Sequence, residues 1–105
     1  MNTAGRGSLA VILNSDKDQI RCEGSFDRLR APSTVAHIHE GIRGVNGAVR
    51  FGLTIRRDGP TAGTLSGVFG VSARDVGLLD SEGFYANVHS TQFPLGEIRG
   101  QITRK

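Results

Sequence analysis

Three histidines are the side chains of this sequence best suited to chemistry. Two of them, His37 and His39, stand one residue apart in "TVAHIHEG" (34–41), and the third, His89, lies in "FYANVHS" (84–90). Both stretches alternate in the way of a β-strand, in which residues i and i+2 share a face. Ala36 and Ile38 take the apolar face of the first, leaving Val35, His37 and His39 on the other. Ala86 and Val88 take the apolar face of the second, leaving Tyr85, Asn87 and His89. If the two strands are neighbours, His37, His39 and His89 converge, because same-face residues on a strand lie about 6.5–7 Å apart and adjacent strands about 4.8 Å apart. Such spacings bracket a transition-metal ion with nitrogen bonds near 2 Å. Three neutral imidazoles without a carboxylate point to copper, with zinc as the alternative, and leave positions open for water or substrate.

The last apolar segment, "GEIRGQITR" (96–104), adds polar residues to this face. Its alternation puts Ile98, Gly100 and Ile102 inward and Glu97, Arg99 and Gln101 beside His89. Asn87 and Glu97 are then the expected outer partners that orient a ligand ring through its second nitrogen. Arg99 is positioned to attract an anionic small-molecule substrate, and Tyr85 to act as a redox-active or hydrogen-bonding neighbour. Arg99 and Tyr85 are thus the candidate catalytic residues of a copper-dependent oxidoreductase, or of a site for copper binding and transfer. The same face also fits two metal-free readings: a module that binds a protein or small ligand, and acid–base catalysis with Arg99 holding an anion. Arg99 also has a structural reading, as the partner of Glu40 or Glu97 in an ion pair.

The elements that must position these residues read as all-β. Strand-length segments separated by glycine-rich turns run from "SLAVILN" (8–14) through "KDQIRCEGSFD" (17–27), "GAVRFGLTIRR" (47–57) and "GTLSGVFGV" (63–71) to the two near the C-terminus. The first is apolar in both phases and reads as a central strand or one covered on both faces. In the second, Ile20, Cys22 and Phe26 form one face; in the third, Val49, Phe51, Leu53 and Ile55 do. One short helix interrupts the pattern: Ser72 and Asp75 form a capping-box arrangement ahead of Val76, Leu78 and Leu79, with Gly83 placed to stop it. The glycine-rich loop "EGIRGVNG" (40–47) reads as a turn, in which "NG" at 46–47 helps the chain reverse and Asn46 tolerates a left-handed conformation. The expected architecture is a small antiparallel Greek-key-like sandwich or barrel of about seven to eight strands.

Size and composition bound the rest. The 105 residues suit a single domain, with residues 1–7 as a flexible tail, and the 15 glycines fit a turn-rich β fold. The formal charge is +3, but the basic residues are scattered among acidic ones and there is no tryptophan, which argues against a nucleic-acid surface. "LAVIL" is too short for a membrane span, so a soluble domain is expected, cytoplasmic as written or the mature part of an exported protein. The single cysteine, Cys22, falls in an apolar phase and reads as a small buried hydrophobe.

"AHIHEGIRGVNGAVRFGL" together with "GFYANVHSTQFPLGEIRGQI" resembles the CHRD domain family, the module named for chordin and found also in bacteria. The resemblance spans nearly the whole chain and marks His37, His39, Asn87, His89, Glu97, Arg99 and Gly100 as motif positions. It implies an all-β domain and, from the animal members, extracellular protein interaction. A looser similarity, confined to the H-x-H strand and the general architecture, is to the Cu/Zn superoxide dismutases. It implies superoxide dismutase-like or oxidase chemistry at a copper-only site, since the sequence carries no loop with the histidines and aspartate of a zinc subsite.

Overall fold

The structure, a computed structural model, describes residues 4–42 and 44–102. Seven strands and one helix follow in the order β1 (Arg6–Leu13), β2 (Gln19–Asp27), β3 (Ser33–Glu40), β4 (Val49–Gly59), β5 (Ala62–Gly70), α1 (Ala73–Asp80), β6 (Phe84–Ser90) and β7 (Ile98–Gln101). All neighbours pair antiparallel in the spatial order β1-β2-β5-β4-β3-β6-β7. Strand β2 returns beside β5 and β6 beside β3, so two Greek keys overlap on the β3-β4-β5 meander.

The sheet curls because β4 serves two partners. Its residues Val49–Leu53 pair with β3, and Thr54–Gly59 pair with β5. The ends of the sheet meet at one corner, where a Cβ on Gly7 would lie 3.2 Å from Ile98 Cδ1. With an odd number of antiparallel strands, β1 and β7 run in the same direction, so an antiparallel ladder cannot close between them. The barrel is therefore nearly closed.

Inside it, Ile20, Cys22 and Phe26 of β2 pack with Ala36, Ile38, Leu53, Leu65, Phe84 and Val88, as their alternation requires. Each large side chain among them contributes about 1.5–3 kcal/mol through removal from water. Burial pushes the Cys22 thiol up to about 11, consistent with an inert core residue.

The structure corrects several boundaries. Arg6 and Gly7, expected in the flexible tail, open β1, where Arg6 pairs with Asp27 at 2.9 Å; Met1–Thr3 of that tail lie outside the described residues. Strand β1 is terminal rather than central: Leu9, Val11 and Leu13 pack inward, but Ile12 faces solvent. Val49 leaves the apolar phase because a bulge puts Arg50 between the rungs Ile38–Phe51 and His39–Val49. The residue released by the bulge does structural work. Arg50 bonds Glu40 and Asp75 at 2.8 Å each, and Arg74 reaches the same Glu40, so the start of α1 is tied to the end of β3.

The helix is capped as its sequence predicts. Ser72 Oγ accepts the Asp75 N–H and the Asp75 carboxylate accepts the Ser72 N–H. At the other end Glu82, rather than Gly83, takes the left-handed conformation, while the Gly83 N–H closes on the Leu78 carbonyl. A Cβ at Gly83 would come within 2.7 Å of Leu78 Cδ2, so a side chain there would make the Leu78 side chain shift.

The Ser72 backbone N–H first, and then Arg50, hold the Asp75 carboxyl below its ordinary 3.8. A depressed carboxyl stabilises the fold fully above the unfolded-state value and loses that contribution as pH falls through the folded-state value. Thermal unfolding followed from about pH 6 down to about pH 2 should show Tm falling in the acid range. Asp75→Asn should be less stable near neutrality and show a shallower acid decline; an unchanged slope would remove Asp75 from the acid response.

Candidate metal centre

Strands β3 and β6 are direct neighbours, with His37 opposite Asn87 and His39 opposite Tyr85. A bulge between the Ser33–Ser90 and Ala36–Val88 rungs places two β3 residues, Thr34 and Val35, against the single residue His89. The three imidazoles converge as the alternation predicts. Their ring centres are 5.0 Å (His37–His89), 5.5 Å (His37–His39) and 5.9 Å (His39–His89) apart. One nitrogen from each falls within 4.8 Å of the other two, and among the described residues no other group of His, Cys, Asp or Glu does the same.

This outer face is covered. His39 and His89 are each only 8% exposed, while His37 is half-buried. The 41–48 loop lies over His39 and the 91–97 loop over His89, each supplying a carbonyl to a ring: His39 Nδ1 bonds Gly47 O at 2.9 Å and His89 Nδ1 bonds Pro94 O at 2.7 Å. A carbonyl oxygen only accepts, so both rings carry their proton on Nδ1 and present Nε2 as a lone pair. His39 Nε2 is buried and meets no hydrogen-bond partner. His89 Nε2 lies 3.2 Å from His37 Nδ1, which therefore donates to it.

The pKa of His37 lies below its ordinary 6.5, first because burial disfavours the cation and then because a positive charge on His37 is electrostatically unfavourable beside His89 and His39. The set thus favours a neutral His37, the protonation state that a metal ligand needs.

Tyr85 and Arg99 build the frame around His39. The Tyr85 ring stacks on His39 at 4.9 Å, 7° from parallel, and its hydroxyl accepts the Gly47 N–H at 2.9 Å. The Arg99 guanidinium lies 3.5 Å from the centre of the Tyr85 ring and donates to Ile42 O, Val45 O and Asn46 Oδ1. Gln101 adds a hydrogen bond to Gly41 O. Gly47 admits no side chain, because a Cβ there would stand 1.6 Å from the Glu40 carbonyl oxygen. Among the described residues of the loop Gly44 takes the left-handed conformation, and the Asn46 side chain is an acceptor for Arg99.

Two sequence expectations change here. Glu97 does not sit beside the rings: its carboxylate accepts from Ser90 Oγ, on the face opposite His89, and from the Arg30 N–H. Strand β7 begins only at Ile98, and Gly96, at φ +125°, turns the chain just before Glu97, so Glu97 falls out of phase with Arg99. Arg99 pairs with neither Glu40 nor Glu97 in the bonds that hold the loop, and its guanidinium is spent on that loop rather than aimed at the trio. Asn87 stays on the histidine face, buried, with Oδ1 unpartnered. The ring-orienting role expected of Asn87 and Glu97 belongs to the carbonyls of Gly47 and Pro94. Sequence reading missed both, since a carbonyl has no residue signature; the only trace was the turn dipeptide at 46–47.

A cavity of about 1240 Å³ opens at the seam between β1 and β7, lined by aliphatic residues such as Leu9, Val11, Leu65 and Ile98 and by polar ones such as Glu23 and Asn87. None of the three histidines lines it.

A match to the CHRD domain family covers residues 1–102. No curated protein and no solved structure matches the chain.

Long-range 1H–15N correlation spectra of the metal-free protein should show His39 and His89 with Nδ1 protonated and Nε2 bare. A protonated Nε2 on either neutral ring would contradict the carbonyl anchors. His37 should titrate below 6.5. Between that value and the depressed one the unfolded chain binds more protons, so the His37 contribution makes stability rise with pH across this window.

Proposed function

The chain belongs to the CHRD family, and within that family we propose that it is a metal-binding member in which His37, His39 and His89 hold one transition-metal ion, copper in preference to zinc. The observation that carries this reading is the buried, unpartnered Nε2 of His39, its ring locked by the Gly47 carbonyl. Leaving a buried polar atom unpaired costs about 1–3 kcal/mol, a cost that a bound ion would offset. The donor set supports it further. With bonds near 2.0 Å, ligand nitrogens in a tetrahedral set stand roughly 3.3 Å apart, so the 3.2 Å His37–His89 pair already fits and the widest gap closes by at most roughly 1.5 Å. Three neutral imidazoles without thiolate or carboxylate favour copper by ligand type and by the order of divalent affinities.

Under this reading the protein's residues divide the work. Gly47 and Pro94 set the tautomers of His39 and His89, and His37 gives up its hydrogen bond to His89 by moving its proton from Nδ1 to Nε2. Tyr85 and Arg99 hold the 41–48 loop and with it the Gly47 carbonyl. The ion would supply redox or Lewis-acid chemistry on a small molecule. Ligands buried under two loops suit a resident ion better than one passed between carriers.

A second reading, a metal-free protein-binding module, is favoured by exposed apolar residues in the segments that flank the trio: Val35, Ile42, Val45 and Leu95.

Metal analysis of untagged protein, followed by Cu(II) and Zn(II) titration, separates the two readings. One equivalent of copper is expected, bound more tightly than zinc. Each of His37→Ala, His39→Ala and His89→Ala should weaken it by more than the roughly 10–100-fold typical of losing an outer partner. Sub-stoichiometric metal, or unchanged affinity in the triple variant, would sink the metal reading.

A further inference from the structure

The cover over the three imidazoles is one-sided. Loops close over His39 and His89 through Gly47 and Pro94, but His37 stays half-exposed, and its partner across the β3–β4 ladder is Gly52. Paired residues on adjacent strands point to the same face with Cβ atoms about 4.5–5.5 Å apart, so any side chain at position 52 would stand beside the His37 ring. A Cβ at Gly52 would meet nothing within 4 Å. The glycine is not demanded by its backbone either, because it is not among the residues with positive φ. Two residues along each strand, Val35 and Thr54 are exposed and extend no cover over the site.

Resting on the metal reading above, we propose that the slot over Gly52 is the entry and binding subsite for a small exogenous anion with a nitrogen or oxygen donor. The size follows from the slot, which the hydrogen of one glycine leaves open along the flank of one ring. The charge follows from the ligand set. A divalent ion held by three neutral imidazoles keeps its full positive charge, with no carboxylate in the trio to balance it. Among the described residues, the arginines that flank the site are already committed: Arg50 to Glu40 and Asp75, Arg57 to Ser33 and Thr34, and Arg99 to the 41–48 loop. The anion is therefore drawn to the ion itself, and Gly52 decides what size of ligand reaches it.

Azide is the probe, titrated into copper-loaded protein and followed by its charge-transfer absorption. Wild type should bind azide, and Gly52→Leu should keep one equivalent of copper while its azide affinity falls at least tenfold. Gly52→Val, with a side chain that strands favour, is measured alongside so that a folded blocking variant is in hand. Gly52→Ala, which fills little of the slot, should bind azide within about threefold of wild type. Copper-loaded wild type that ignores azide, or blocking variants that retain copper and bind azide as wild type does, would overturn the subsite while leaving the metal site standing. Wild type that takes up no copper would instead overturn the metal reading.

Discussion

Much of the outer face depends on one residue, Gly47. Its N–H is held by the Tyr85 hydroxyl, its carbonyl holds His39 Nδ1, and the approach of the Glu40 carbonyl leaves no room for a Cβ. This fixes the 41–48 loop at the distance where it covers His39 without entering the space between the rings. Arg99 stacked on Tyr85 and bonded to three acceptors in the loop secures the same arrangement from the β7 side. Remove the close approach at Gly47 and the ring loses its orientation together with its cover.

The consequence is a sheet with two buried faces in one region. Inside, Ile38, Phe84 and Val88 join the barrel core; outside, Tyr85, Asn87 and His89 are nearly as buried beneath loops. Polar groups buried in this way must find partners, and most do so through backbone carbonyls and loop amides. Among the described residues the exceptions gather on this face: His39 Nε2, Asn87 Oδ1 and Gln101 Oε1. The low dielectric that makes an unpaired nitrogen costly also disfavours a charged His37, which packs against the other two rings.

Much of this was legible from residue order. Strict alternation in 19–27 marked Ile20, Cys22 and Phe26 as core, and the spacing of Ser72 and Asp75 marked the helix start. The phases of "AHIH" and "ANVH" put three histidines on one side. Where alternation was broken, sequence reading failed: the bulge at Arg50 turned Val49 outward, and the turn at Gly96 carried Glu97 to the opposite face from His89. Arg99 was assigned to the correct face, but its loop contacts could not be read from the sequence, because its acceptors include carbonyls 54 and 57 residues away.

Local periodicity and side-chain type were enough for the class of fold, the family, most of the inward residues and the shared face of the histidines. That β3 and β6 are neighbours, that two loops roof the outer face, and that Gly47 and Pro94 set the ring tautomers came from the folded chain alone. The physical reason is that strand adjacency is a long-range choice, and that every residue carries the same carbonyl. Only the fold determines which carbonyl meets which ring.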